Sequence, residues 1–173
     1  MVDDIKPISP KIRLFVNLLS ALVVVGAGIG IAYVSNPFGH GVIDLSQPRI
    51  SFNLWGVHEI RLLPDLFALI WIPFVMNAVN WSSGIDGQAS GMLAIAAMVI
   101  GLLSLNYSAD ITQWNVAILA FALGGAMLGI AIFHFYPQQI MPGYGATTGA
   151  GLLLAVLAIL STTKIGTSLM VLG

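Results

Sequence analysis

The sequence predicts an all-α integral membrane protein, a single domain over residues 1–173 with about five full transmembrane helices and the start of a sixth. Three observations predict it. Hydrophobic residues make up 58% of the chain and charged residues 8%, with a mean hydropathy of +0.96, which leaves a soluble domain too little polar surface to stay in solution. The apolar residues fall into runs long enough to cross ~30 Å of hydrocarbon at ~1.5 Å per residue. Polar residues gather between those runs, above all in Asn77–Gly91, N-A-V-N-W-S-S-G-I-D-G-Q-A-S-G. Irregular backbone in lipid survives only when it is buried in protein or meets water, so this stretch is a water-facing loop or a site.

Charge and cysteine content narrow the function classes. A net charge of −1 offers no basic field for nucleic acid, so any phosphate chemistry rests on local groups or a metal. The absence of cysteine removes disulfides and thiolate metal sites. Asp3 and Asp4 stand where a cleavable signal would carry positive charge.

Taken in order, residues 1–12 are polar and broken by Pro7 and Pro10, and Arg13 leads into a first span over Leu14–Val34, whose Gly26, Gly28 and Gly30 suit close helix contact. The connection over residues 35–62 alternates in Val42–Leu45 and Arg49–Leu54 around Ser46-Gln47-Pro48, which predicts a small extracytoplasmic β-hairpin. His40 and His58 lack metal-ligand spacing and belong to a solvated surface. Further spans follow over 62–79, with a kink expected at Pro73, then 89–105, 114–133 and 147–163; a sixth begins at Ile165. Both ends of the chain read as cuts through a larger membrane protein.

Counting spans places residues 1–12, 80–88 and 134–146 on one face, with Asp3-Asp4, Asp86 and the Pro142-Gly143-Tyr144-Gly145 turn. Carboxylates beside glycine-rich backbone at a membrane surface suit a divalent cation and a phosphate ester, because magnesium is commonly held by one or two carboxylates plus substrate phosphates. The positive-inside rule does not separate the faces: Lys6, Lys11 and Arg13 lie on this one, Arg49, Arg61 and Lys164 on the other. A dinucleotide fingerprint and a P-loop are absent, and Ser82 and Ser83 have no neighbouring histidine to activate them.

Asp3-Asp4-Ile-Lys-Pro-Ile-Ser-Pro-Lys, then Asn77-Ala-Val-Asn80 with Gly84-Ile-Asp86-Gly87, then a loop feeding G-L-L-L-A-V-L-A-I, together resemble the polyprenyl-phosphate glycosyl-1-phosphate transferase family. The resemblance covers the chain but only the central part of the family's longer fold. It implies transfer of a sugar 1-phosphate from a UDP-sugar to a polyprenyl phosphate, with Mg2+ (Mn2+ standing in), at the cytoplasmic face of the plasma membrane, and it is compatible with a homodimer. Carried over residue by residue, it implies that Asp3, Asp4 and Asp86 are catalytic and hold the metal, and that Asn77, Asn80, Gly84 and Gly87 shape the substrate pocket. Ser83 and Tyr144 stand where the family pattern has aspartates, and His134 sits near a position where it often has asparagine. A hydroxyl is a weak neutral ligand, and a phenol with a pKa near ~10 does not replace a carboxylate at neutral pH. Two other readings therefore stand beside active transfer: a non-catalytic homologue binding lipid phosphate or nucleotide, and a transporter. The transporter predicts charge at mid-membrane, whereas the charged residues here lie at span ends.

Overall fold

The computed structural model describes residues 9–31, 33–35, 42–44, 49–53, 57–106 and 111–161. Asp3 and Asp4, and the sixth run from Ile165, lie outside these residues. The element order is α1 (Pro10–Gly26), β1 (Tyr33–Ser35), β2 (Val42–Asp44), β3 (Arg49–Asn53), β4 (Val57–Arg61), α2 (Leu62–Ser82), α3 (Gln88–Asn106), α4 (Ile111–His134) and α5 (Tyr144–Leu160).

Helix α1 begins where proline is best tolerated. Pro10 lies in its first turn, and the Ser9 carbonyl accepts from the N–H groups of Ile12 and Arg13. The helix does not run to Val34 as the apolar run suggested. After Gly26 the Gly28 N–H returns to the Val25 carbonyl and the Ile29 N–H to the Val24 carbonyl, with Gly28 at φ 86°. This is a Schellman stop, in which glycine supplies the left-handed residue. Of the three glycines expected to serve helix contact, Gly26 and Gly28 belong to this terminus and a Cβ on either would meet nothing within 4 Å, whereas Gly30 lies close to α2, its Cβ position 2.8 Å from Asp65 Oδ1 and 3.4 Å from Pro64 Cβ. Beyond the stop, the Ile31 N–H reaches the Pro64 carbonyl and fastens the chain to the start of α2.

The pairing between residues 33 and 61 differs from the expected single hairpin of Val42–Leu45 with Arg49–Leu54. β1 pairs antiparallel with β2, Val34 opposite Ile43, and β3 pairs antiparallel with β4, Ser51 opposite Glu59. Each ribbon takes a neighbour that alternation alone could not choose.

Three helices, Leu62–Ser82, Gln88–Leu105 and Gln113–His134, are long and apolar enough to cross a membrane. At 17 residues each, α1 and α5 extend about 25 Å, short of a full hydrocarbon core. Helix α2 carries Pro73 without interruption and buries Ala68, Ile72, Val75, Met76 and Val79, a stripe at helical spacing. That stripe packs on α5, where Gly151 would place a Cβ 2.9 Å from the Met76 Cα. α3 packs on α4 through small residues, with Gly101 under Phe121 and Gly124 under Met98. Such residues let backbones approach closely where lipid supplies no hydrophobic drive between helices. The faces turned away carry exposed Phe67, Ile70, Phe74, Ile95, Ile118 and Ile132, as a lipid-facing surface should.

Candidate functional site

Helix ends converge at one end of the bundle. α1 brings Arg13 and Asn17, α2 brings Asn80, α3 brings Ser90, α4 brings His134, and α5 brings Tyr144 and Thr147. Two sets of contacts tie them. Asn17, buried despite its amide, donates from Nδ2 to the Tyr144 hydroxyl at 3.3 Å. The Arg13 guanidinium carbon lies 4.6 Å from the centre of the Tyr144 ring, within cation–π range. The Thr147 hydroxyl lies 3.0 Å from Asn80 Oδ1 and 3.0 Å from the Tyr144 carbonyl, so its one proton serves either acceptor. α1, α2 and α5 are thereby joined by polar side chains.

The second set underlies the α2–α3 loop. His134 is fully buried, with Nδ1 2.8 Å from Ser90 Oγ, while Nε2 has no hydrogen-bond partner among the described residues. Ser90 Oγ is also 3.4 Å from the Gly87 carbonyl. Gly87 has φ 77°, and the Phe135 ring lies 2.5–2.9 Å from where a Cβ would stand. Asn80 closes the other side of the loop: its carbonyl accepts from the Ser83 N–H at 3.3 Å and from Ser83 Oγ at 2.6 Å.

The expected site residues therefore divide. Asn80 and Gly87 are structural members of the loop, and Asp86 is exposed at its tip. Asn77 turns its amide back to the Pro73 carbonyl of its own helix at 2.7 Å. Gly84 is exposed, and a Cβ there would make only an ordinary 3.7 Å contact with the Trp81 carbonyl. Arg13, Asn17, Ser90 and Thr147 were missed as site residues. Their signal was present as polar groups embedded in apolar runs, which are costly in lipid unless they find partners.

Two narrow clefts flank the loop, one along Ala78, Val79, Ala89 and Leu154 and one along Ser90, Met127, Pro142 and Thr147.

The described residues do not fit a magnesium site. Among them no three His, Asp or Glu side chains are close enough to share a metal ion, and Asp86 is the one described carboxylate at this end. Ser83 Oγ donates its proton to the Asn80 carbonyl, and the Tyr144 oxygen is shared with Asn17. Neither supplies the hard anionic oxygen that magnesium takes.

The fold and this cluster define an integral membrane protein whose polar residues are collected at one end of its helix bundle. The chain belongs to glycosyl transferase family 4, whose family model matches residues 1–162. The family is one of phospho-sugar transferases that use a divalent metal. Among similar proteins is the phospho-N-acetylmuramoyl-pentapeptide-transferase of Bacillus licheniformis, 37% identical over 131 residues, 76% of this chain and 37% of the relative. Proteins of the same description from Levilactobacillus brevis and Streptococcus agalactiae are 36% identical over 95 residues (55% of this chain, 28% of the relative) and 30% identical over 110 residues (63% and 32%). The chain spans about a third of the length of these curated relatives.

Proposed function

We propose that this chain forms part of a transferase that moves a sugar 1-phosphate from a UDP-sugar to a polyprenyl phosphate in cell-envelope polysaccharide or peptidoglycan synthesis. The observation that supports this reading best is the pair of bonds Asn17–Tyr144 and Asn80–Thr147. They draw the start of α1, which follows Asp3-Asp4 in sequence, toward the Asp86 loop and the start of α5.

In this reading an oxygen of the lipid phosphate attacks the sugar-bearing phosphorus of the UDP-sugar. The bond from that phosphorus to the bridging oxygen breaks, and UMP leaves with the electron pair. Asp3 and Asp4 act at the lipid phosphate, one of them as base, and Asp86 acts on the nucleotide side. Asn80 and Gly87 hold the loop that carries Asp86, while Asn77 and Gly84 line it. The site faces the cytoplasm, the ribbons between 33 and 61 lie on the opposite side, five spans cross the membrane, and a homodimer is compatible with the exposed apolar faces.

A second reading, binding of lipid phosphate or nucleotide without turnover, is favoured by one observation. The two side chains at the expected aspartate positions, Ser83 and Tyr144, are engaged with Asn80 and Asn17 rather than open to a ligand. Release of UMP from UDP-N-acetylglucosamine, with undecaprenyl phosphate and detergent-purified protein, separates the two. Turnover that disappears in both Asp4→Ala and Asp86→Ala supports transfer. Full retention in both variants sinks the assignment, and absence of turnover with measurable lipid-phosphate binding selects the second reading.

A further inference from the structure

We infer that the two loops at the polar end of the bundle, residues 83–87 and 135–141, dip into the headgroup boundary of the bilayer, held there by Trp81, Ile85, Phe135, Tyr136, Ile140 and Met141. The partner of this surface is phospholipid, and the inference stands whether the chain transfers a sugar phosphate or only binds one. All six side chains are exposed, Trp81 at 75% and Tyr136 at 86%. Phe135 continues the last turn of α4, its N–H donating to the Ala131 carbonyl. The chain then doubles back, so that the N–H groups of Gln139 and Ile140 both meet the Phe133 carbonyl. The α2–α3 loop sits on this hook, with the Phe135 ring against Gly87 and 3.5 Å from the Cβ position of Gly91, and it carries Ile85 two residues from that contact. Large apolar groups gathered on adjoining loops are costly in water and mark an interaction surface.

Three features make the partner lipid. The surface continues the faces that already meet lipid: Phe67, Ile70, Phe74 and Trp81 fall on one exposed side of α2, and on α4 the exposed Ile118, Gly125 and Ile132 are followed one turn later by Phe135. The helices are also long enough. At 21 and 24 residues, α2 and α4 extend about 32 and 36 Å, so their ends pass a ~30 Å hydrocarbon core and enter the headgroup layer. Trp and Tyr are enriched at that level because the ring has an apolar body and a polar edge. Charge supplies the third feature. No lysine or arginine occurs between residues 62 and 161, and Asp86 is the single charged residue of the two loops. Neither loop therefore carries the cations that would match an acidic protein, and the contact with lipid is apolar. Asp86 and Gln139, exposed beside Ile85 and Ile140, mark the water side of the same boundary.

The test uses the full chain in phosphatidylcholine nanodiscs, one molecule per disc. Nitroxide labels are placed singly at Trp81→Cys, Ile85→Cys and Ile140→Cys, and at Asp86→Cys and Gln139→Cys in the same loops; the chain has no thiol of its own. Collision with oxygen, which concentrates in lipid, and with a water-soluble nickel complex gives the depth of each label. The inference expects labels at 81, 85 and 140 to lie about 5–10 Å below the lipid phosphates and to favour oxygen, as the apolar side of an interfacial segment does. Labels at 86 and 139 should favour nickel. Thermal unfolding of each variant reports whether it folds, and agreement of any two of the three apolar positions decides. Nickel contact at those positions equal to that at 86 and 139 overturns the inference, because the loops are then solvated. Slow collision with both reagents overturns it as well, because the patch is then covered by protein, either a second copy or another segment.

Discussion

At Gly87 the backbone sits at φ 77° while the Phe135 ring occupies the space of a Cβ. The two constraints differ in weight. Phe135 is exposed and its ring can swing away, but the left-handed conformation costs any residue with a Cβ about 1–2 kcal/mol. Gly87→Ala should therefore lower stability by about that amount, read as a fall in thermal midpoint in detergent, and Phe135→Ala in the same chain should restore little of it. Gly84→Ala, which meets only the Trp81 carbonyl at 3.7 Å, should leave the midpoint unchanged. At the buried Ser90–His134 pair, Ser90→Ala strips Nδ1 of its described partner and should cost about 1–3 kcal/mol. Adding His134→Leu removes the buried polar group as well, so the double variant should recover part of the loss; a double variant less stable than the sum of the singles would contradict this.

At the scale of elements, α2 and α5 approach through Gly151, whose missing Cβ would stand 2.9 Å from the Met76 Cα and 3.4 Å from the Val75 carbonyl. Those are backbone atoms and cannot rotate aside. Gly151→Ala should separate the helices at a cost of about 1–3 kcal/mol. Gly149, two residues earlier and exposed, meets nothing within 4 Å; Gly149→Ala should be neutral or stabilise by up to about 1 kcal/mol through helix propensity. Equal losses in thermal midpoint for both variants would contradict the close approach. The opposite end of the same helix is held by Gln113, whose Nε2 donates to the Leu160 carbonyl at 3.1 Å and satisfies one of the acceptors a helix C-terminus leaves open.

For the whole molecule the question is which ends share a side of the membrane. The chain lacks cysteine, so single introduced thiols report position cleanly. Asp86→Cys and Gln139→Cys, both exposed near the polar cluster, should react with a membrane-impermeant maleimide from one side, and Ala27→Cys, at the far end of α1, from the other. Labelling of positions 27 and 86 from the same side would mean that α2, the helix between them, does not cross.

Much of the architecture was legible without coordinates. Hydropathy alone set α2, α3 and α4 to within a few residues, because a run that must satisfy every backbone group in lipid has helix as its answer. The positions of Asn80 and Asp86 at a span end and in the loop after it were legible as well, since polar groups there are few. What hydropathy could not show was where α1 stops: Gly26 and Gly28 sit within an apolar run, and only the φ of Gly28 and the hydrogen bonds beside it reveal a terminus. Strand partners between residues 33 and 61 were equally hidden, because alternation marks strands without choosing neighbours. The site divides in the same way. Composition and motif determined a membrane protein with a polar face, but the placement of Arg13 on Tyr144, of Asn17 against its hydroxyl and of His134 beneath Ser90 was decided by tertiary structure, because contacts between residues more than a hundred positions apart, such as Asn17 and Tyr144, depend on how separate helices pack, and each helix's own periodicity carries no record of its neighbour.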